Sequence, residues 1–123
     1  MLGHPVEVPR AAKSVAWFRF DELCARALGP SDFLALVARY HTFLVEGIPQ
    51  LDADHRNEAK RFNIFIDSLY DSHGNLVASA EAPPQALYPA GEGSFEFQRT
   101  VSRLMEMQSD AYIAARRENG NGN

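Results

Sequence analysis

Arg99 and Arg103 stand one helical turn apart in the amphipathic run Glu96 to Ser109, EFQRTVSRLMEMQS. Residues four apart share a helix face, so both guanidinium groups can approach one anionic group. The planar donor fork of arginine suits phosphate oxygens, and this makes the run a candidate phosphate-sensing helix. The plain alternative is a solvated ion-pair face, with Arg103 paired to Glu106 and a contribution of roughly 0 to 1 kcal/mol. The phosphate cradle that such a sensor serves is missing. No G-x-x-x-x-G-K-[ST] sequence occurs, and neither Lys13 nor Lys60 follows a glycine-rich loop.

Other chemistry-bearing residues have simpler readings. Asp52, Asp54, His55 and Glu58 superficially resemble metal ligands, but the segment lacks the sixth-position glycine and twelfth-position glutamate of a calcium loop. Acids at a helix entrance, where they complement the dipole, explain them better, and no metal site is expected. Cys24 is expected in the core, since a nucleophilic thiol needs a positioned base that the sequence does not identify. Glu46 lies late in an apolar strand, where α/β enzymes often hold an acid for metal or water activation, yet Gly47 follows where a P-loop ATPase would usually carry a second acid. His41 and His73 fall near expected helix ends without a paired ligand motif. No catalytic residue is assigned.

Around these residues the chain must build a core, and 123 residues with 46% hydrophobic content suffice for one domain. The net charge of -4 supplies no basic field for nucleic acid, despite the local cluster of Arg99, Arg103, Arg116 and Arg117. A single cysteine fits a reducing compartment. Near the start, His4, Pro5 and Glu7 stand where a signal peptide needs basic residues and then an apolar run, and no segment reaches the roughly 18 apolar residues that span a bilayer. The chain therefore reads as cytosolic or matrix-like.

Val6 to Val8 and Val15 to Phe20 favour β structure, a β-hairpin or two edge strands, joined by Pro9 to Ser14. A short helix over Glu22 to Ala27, with Asp21 as cap, should end at Gly29-Pro30. Ser31 can cap a helix whose Phe33, Leu36, Val37 and Tyr40 share one face. Thr42 to Ile48 reads as a buried strand, followed by a polar turn at Leu51 to His55 and a helix with Phe62, Phe65, Ile66 and Leu69 inward. Gly74 suits the cap of that helix. Leu76 to Ala80 is a further strand, and Leu87-Tyr88 after Pro83-Pro84 suggests a short helical turn. A long last helix from about Ser94 should turn Phe97, Val101, Leu104, Met105, Gln108 and Tyr112 inward. Strand and helix alternate, so the expected fold is α/β: a mainly parallel sheet of about three to five strands with flanking helices, an N-terminal β-hairpin and a long C-terminal helix. Residues 1–117 form the expected α/β subdomain and residues 118–123 a mobile polar tail.

Six separated segments carry a family resemblance: FRFDELC and LGPSDF between Phe18 and Phe33, NEAKRF and IDSLYD between Asn57 and Asp71, LVASAEAPPQALY at Leu76 to Tyr88, and FQRTVSRLMEMQS at Phe97 to Ser109. Together, over roughly residues 4 to 116, they resemble the C-terminal part of the ATPase-family-gene-one-like proteins, which include the bacterial cell-division ATPase ZapE and mitochondrial relatives. The resemblance implies an AAA-type P-loop ATPase whose nucleotide-binding motifs lie upstream, with ATP and magnesium as cofactors of the intact parent and none for this part alone. It implies Arg103, then Arg99, as nucleotide-sensing residues, with Ser102 and Glu106 orienting or neutralising them. LVASAEAPP resembles a sensor strand and proline-containing turn, the preceding FLVEGIP through LYD resembles a strand-to-helix unit, and together they read as a degenerate repeat of the ATPase core in which Glu46-Gly47 replaces a pair of acids. The implied partners are the upstream ATPase core, a protein client or division-ring component, and other copies of the chain. No nucleic acid and no integral membrane segment is implied, and the location is cytoplasmic, or the matrix side in a mitochondrial relative. An alternative makes the chain a protein-interaction module, with Tyr88 and Pro84 in an exposed segment as contacts.

Overall fold

The computed structural model describes residues 8–89 and 93–108 and contains one four-stranded sheet in the order β1-β2-β3-β4. In chain order the elements are β1 (Arg10–Ala12), β2 (Val15–Arg19), α1 (Phe20–Cys24), α2 (Pro30–Arg39), β3 (Thr42–Ile48), α3 (Arg56–Asp71), β4 (Asn75–Ala80) and α4 (Ser94–Glu106), with 3-10 turns at Ala53–His55 and Pro84–Ala86. β1 and β2 form an antiparallel hairpin, while β2, β3 and β4 run parallel. Helical crossovers separate the parallel strands, as parallel pairing requires. This is the α/β architecture that the alternation of elements predicts.

Side-chain alternation assigns the two sheet faces. Ala16 and Phe18 of β2 register with Phe43 and Val45 of β3, and all four are buried. Helix α3 supplies the matching stripe, Ala59, Phe62, Phe65, Ile66 and Leu69. Phe65 meets Phe43 edge-on at 5.2 Å between ring centroids, and Phe33 of α2 meets Phe65 at 6.1 Å. At the other end Phe62 lies 5.8 Å from Phe20 of α1 and 6.1 Å from Phe97 of α4. Aromatic pairs at such separations add about 0.5–1.5 kcal/mol each beyond burial, so α3 is the beam against which the other helices are set.

Several local details differ from the sequence reading. The first strand is Arg10–Ala12, inside the expected connection; Lys13, at φ 55, closes the hairpin, and Val6 lies outside the described residues. Helix α1 starts at Phe20, because Glu22 accepts the Arg19 N–H at 2.8 Å where a cap at Asp21 was expected. Pro30 opens α2, and Asp32 accepts the Gly29 N–H at 2.8 Å in place of a Ser31 cap. At the end of α3, His73 takes the left-handed conformation, at φ 57. Its N–H reaches the Tyr70 carbonyl and the Gly74 N–H the Leu69 carbonyl, a Schellman arrangement. Gly74 is needed for space: a Cβ there would stand 2.3 Å from Leu69 Cδ1. On α4 Thr100 faces inward and Met105 outward, and just past its end Met107 is buried and Gln108 exposed. Tyr112 and the tail at 118–123 lie outside the described residues.

Candidate functional site

Asn63, Asp67 and Tyr70 recur at spacings of four and three along α3, on the flank that meets α4. Thr100, buried on α4, donates its hydroxyl to Asn63 Oδ1 at 2.5 Å and fixes the two helices in register. One turn along, a single carboxylate holds both arginines: Arg99 Nη2 donates to Asp67 Oδ2 at 2.5 Å and Arg103 Nε to Asp67 Oδ1 at 2.8 Å. The Arg103 guanidinium also lies over the Tyr70 ring, its Cζ 4.5 Å from the centroid. Tyr70 in turn donates its hydroxyl to Glu106 Oε2. That bond holds the phenol proton above its usual titration range, with partial burial and the Glu106 charge acting the same way and Arg103 opposing.

The structure thus brings Arg99 and Arg103 together, as their spacing predicts, but pairs them across to α3. Arg103 bonds Asp67, and Glu106, its expected partner, instead serves Tyr70. Two cations and two carboxylates cancel within this clamp. The arginines differ in access: the Arg99 side chain is 67% exposed and that of Arg103 26%. A phosphate oxygen reaching Arg103 must use its Nη groups or displace Asp67. Sequence reasoning missed Asp67, Tyr70, Asn63 and Thr100. The signal was present in IDSLYD, where an acid and a tyrosine three apart flank the inward Ile66 and Leu69.

The residues outside the clamp are placed as follows. Tyr88 is buried and meets Phe97 edge-on at 5.6 Å, which corrects the expectation that its segment exposes it. Pro84 is half-buried and lines a cleft of about 310 Å³ with Leu87, Leu104 and Met107. Glu46 lies exposed near the end of β3, accepting the Trp17 indole N–H at 3.1 Å, and Gly47, at φ 75, donates its N–H to Ser79 Oγ. Asp52 accepts the Asp54 N–H at 2.9 Å and faces His55 Nδ1 at 2.8 Å, so these residues cap a turn. Among the described residues no three His, Cys, Asp or Glu side chains converge to hold a metal ion. Cys24 is buried, its carbonyl accepts from Arg61 at 2.9 Å, and desolvation pushes its thiol far above the ordinary range. Such a thiol is no nucleophile. No described helix is long and apolar enough to cross a membrane.

Residues 2–116 match the family model of the AFG1-like ATPases. The chain belongs to that family. Relatives include the Escherichia coli cell division protein ZapE, 39% identical over 76% of this chain and 25% of its own length. Uncharacterized protein C115.02c of Schizosaccharomyces pombe is 35% identical over 92% of the chain and 31% of its own length. Lactation elevated protein 1 homolog B of Danio rerio is 30% identical, over 89% and 28% respectively. The chain therefore spans about a quarter to a third of the length of the curated relatives it matches. No solved structure matches.

The family is one of ATPases, and the described residues do not by themselves form a magnesium-nucleotide site. The sequence holds no phosphate loop, and the two arginines best suited to phosphate already share the charge of Asp67. No step of phosphoryl transfer is assigned to this chain, because cradle, metal ligand and water-positioning group are all required.

Proposed function

We propose that this chain is the C-terminal α/β region of an AAA-type ATPase, in which residues outside these 123 bind and hydrolyse magnesium ATP and this region passes the nucleotide state on to protein partners. The observation that carries the reading is an AFG1-like ATPase sequence match over residues 2–116 in a segment without a phosphate loop. Arg103 is the first nucleotide-sensing residue and Arg99 the second, with Asp67 holding both until a phosphate competes for them. The parent acts in the cytoplasm, or on the matrix side in a mitochondrial relative, as a homo-oligomer on a protein client. A division-ring component is the client suggested by the relative named as a cell division protein. The test is steady-state ATP hydrolysis by the intact parent carrying Arg103→Ala or Arg103→Lys. Loss of turnover in the first with partial retention in the second supports sensing; unchanged turnover in both refutes it.

A second reading is a protein-interaction module, favoured by the cleft beside Pro84 and by Phe95 of α4, which is 80% exposed. In it Tyr88 anchors the Pro83–Pro89 segment from within. Partner capture lost in Pro84→Ala or Phe95→Ala with ATP turnover intact favours this reading.

A further inference from the structure

The parallel part of the sheet is covered by helices on one face alone among the described residues. Parallel strands ordinarily need both faces buried and then read as continuous apolar runs. The sequence has that pattern: Ala16-Trp17-Phe18, Phe43-Leu44-Val45 and Leu76-Val77-Ala78. On the uncovered face Trp17, Leu44 and Val77 fall in one register row across β2, β3 and β4. Trp17 is 41% exposed and Val77 61% exposed. Arg10 of β1 continues the row and stacks on Trp17, its Cζ 5.2 Å from the ring centroid. The row spans two strand spacings, about 10 Å, which is the width of one helix with its side chains.

We infer that this row is the seat of an amphipathic helix supplied by the remainder of the AFG1-like polypeptide. The length of the relatives is the reason for choosing this occupant. The chain covers 25–31% of theirs, so a family-length molecule has most of its residues outside it to supply such a helix. A three-strand apolar row with two-face burial written into its sequence is the surface built to receive it. A second copy of the chain is the competing occupant. The inference rests on the reading that an ATPase region of the same polypeptide accompanies this one.

Hydroxyl-radical footprinting with mass spectrometry tests it, comparing the 123-residue chain with the family-length polypeptide that carries it. Trp17 oxidation should fall about fivefold in the longer molecule, from 41% exposure to the few per cent of a buried ring, while Phe95 stays reactive. Val77→Glu should leave melting of the 123-residue chain unchanged and restore Trp17 oxidation in the longer one. Equal Trp17 oxidation in both molecules overturns the inference. So does a dimer of the isolated chain, in sedimentation, in which Trp17 is already protected. An Arg103→Ala parent with unchanged ATP turnover and a protected Trp17 strikes the sensing reading alone; an unprotected Trp17 with an Arg103-dependent turnover strikes the docking alone.

Discussion

Replacing Asp67 by Asn removes one charge and leaves two guanidinium groups facing each other. Arg103 and Asp67 are each about a quarter exposed, so their 2.8 Å pair lies at the upper end for accessible ion pairs, about 1 kcal/mol. Arg99, 67% exposed, contributes little more than zero. The repulsion exposed between two cations roughly 6 Å apart in a watery dielectric adds about 0.5 kcal/mol. Together the loss is about 1.5 kcal/mol, and a domain of this size loses roughly 3–5 °C of melting temperature per kcal/mol, so Asp67→Asn should melt roughly 5–8 °C lower. Circular-dichroism melts of the wild type, Asp67→Asn, Arg99→Ala and Arg103→Ala measure this directly. Arg99→Ala should shift by no more than about 2 °C, with Arg103→Ala between it and Asp67→Asn, and high salt should shrink the Asp67→Asn deficit by screening the repulsion. An Asp67→Asn melt indistinguishable from wild type, or a larger loss in Arg99→Ala than in Arg103→Ala, refutes the clamp.

Phe65→Ala, which empties the meeting point of α2, α3 and β3, should cost about 3–5 kcal/mol in urea unfolding, enough to leave much of the chain unfolded. Gly74→Ala forces a Cβ into Leu69 Cδ1 and to 3.0 Å from the His41 carbonyl, and the overpacking should lower stability by about 1–3 kcal/mol. The Cys24 thiol should react with a disulfide reagent at the rate of global unfolding in native buffer and at once in denaturant; fast native labelling contradicts its burial. Glu22 is held below its ordinary value of 4.5, first by the Arg19 N–H and then by Arg10, against the opposing effect of burial. A lowered folded value means that its stabilisation is present above pH 4.5 and is lost as pH falls below it, so Glu22→Gln should flatten the acid limb of the stability curve in pH-dependent melts.

The parallel strands and their order in the chain were readable because apolar runs and helical stripes are local signals. Thr42–Ile48 was legible to the residue, and so was the α3 stripe apart from Ala59, while the first strand, Arg10–Ala12, has no apolar run to mark it. Caps were less legible, because a carboxylate three residues inside a helix can replace the residue expected at its boundary. Glu22 and Asp32 both do so. The arginine spacing was legible but its partner was not: Asp67 lies 36 residues from Arg103, and only the packing of α4 on α3 joins them. Tyr88 was misread as exposed for the same reason, since the Phe97 that covers it arrives from a different element.

On the proposed function, triphosphate chemistry is carried out by residues outside these 123, and this region only responds to it. The direct test is calorimetric titration of the 123-residue chain with magnesium ATP, coupled to a phosphate-release assay. No saturable stoichiometric binding and no release above buffer are expected. Tight one-to-one binding with sustained turnover by the chain alone would contradict it.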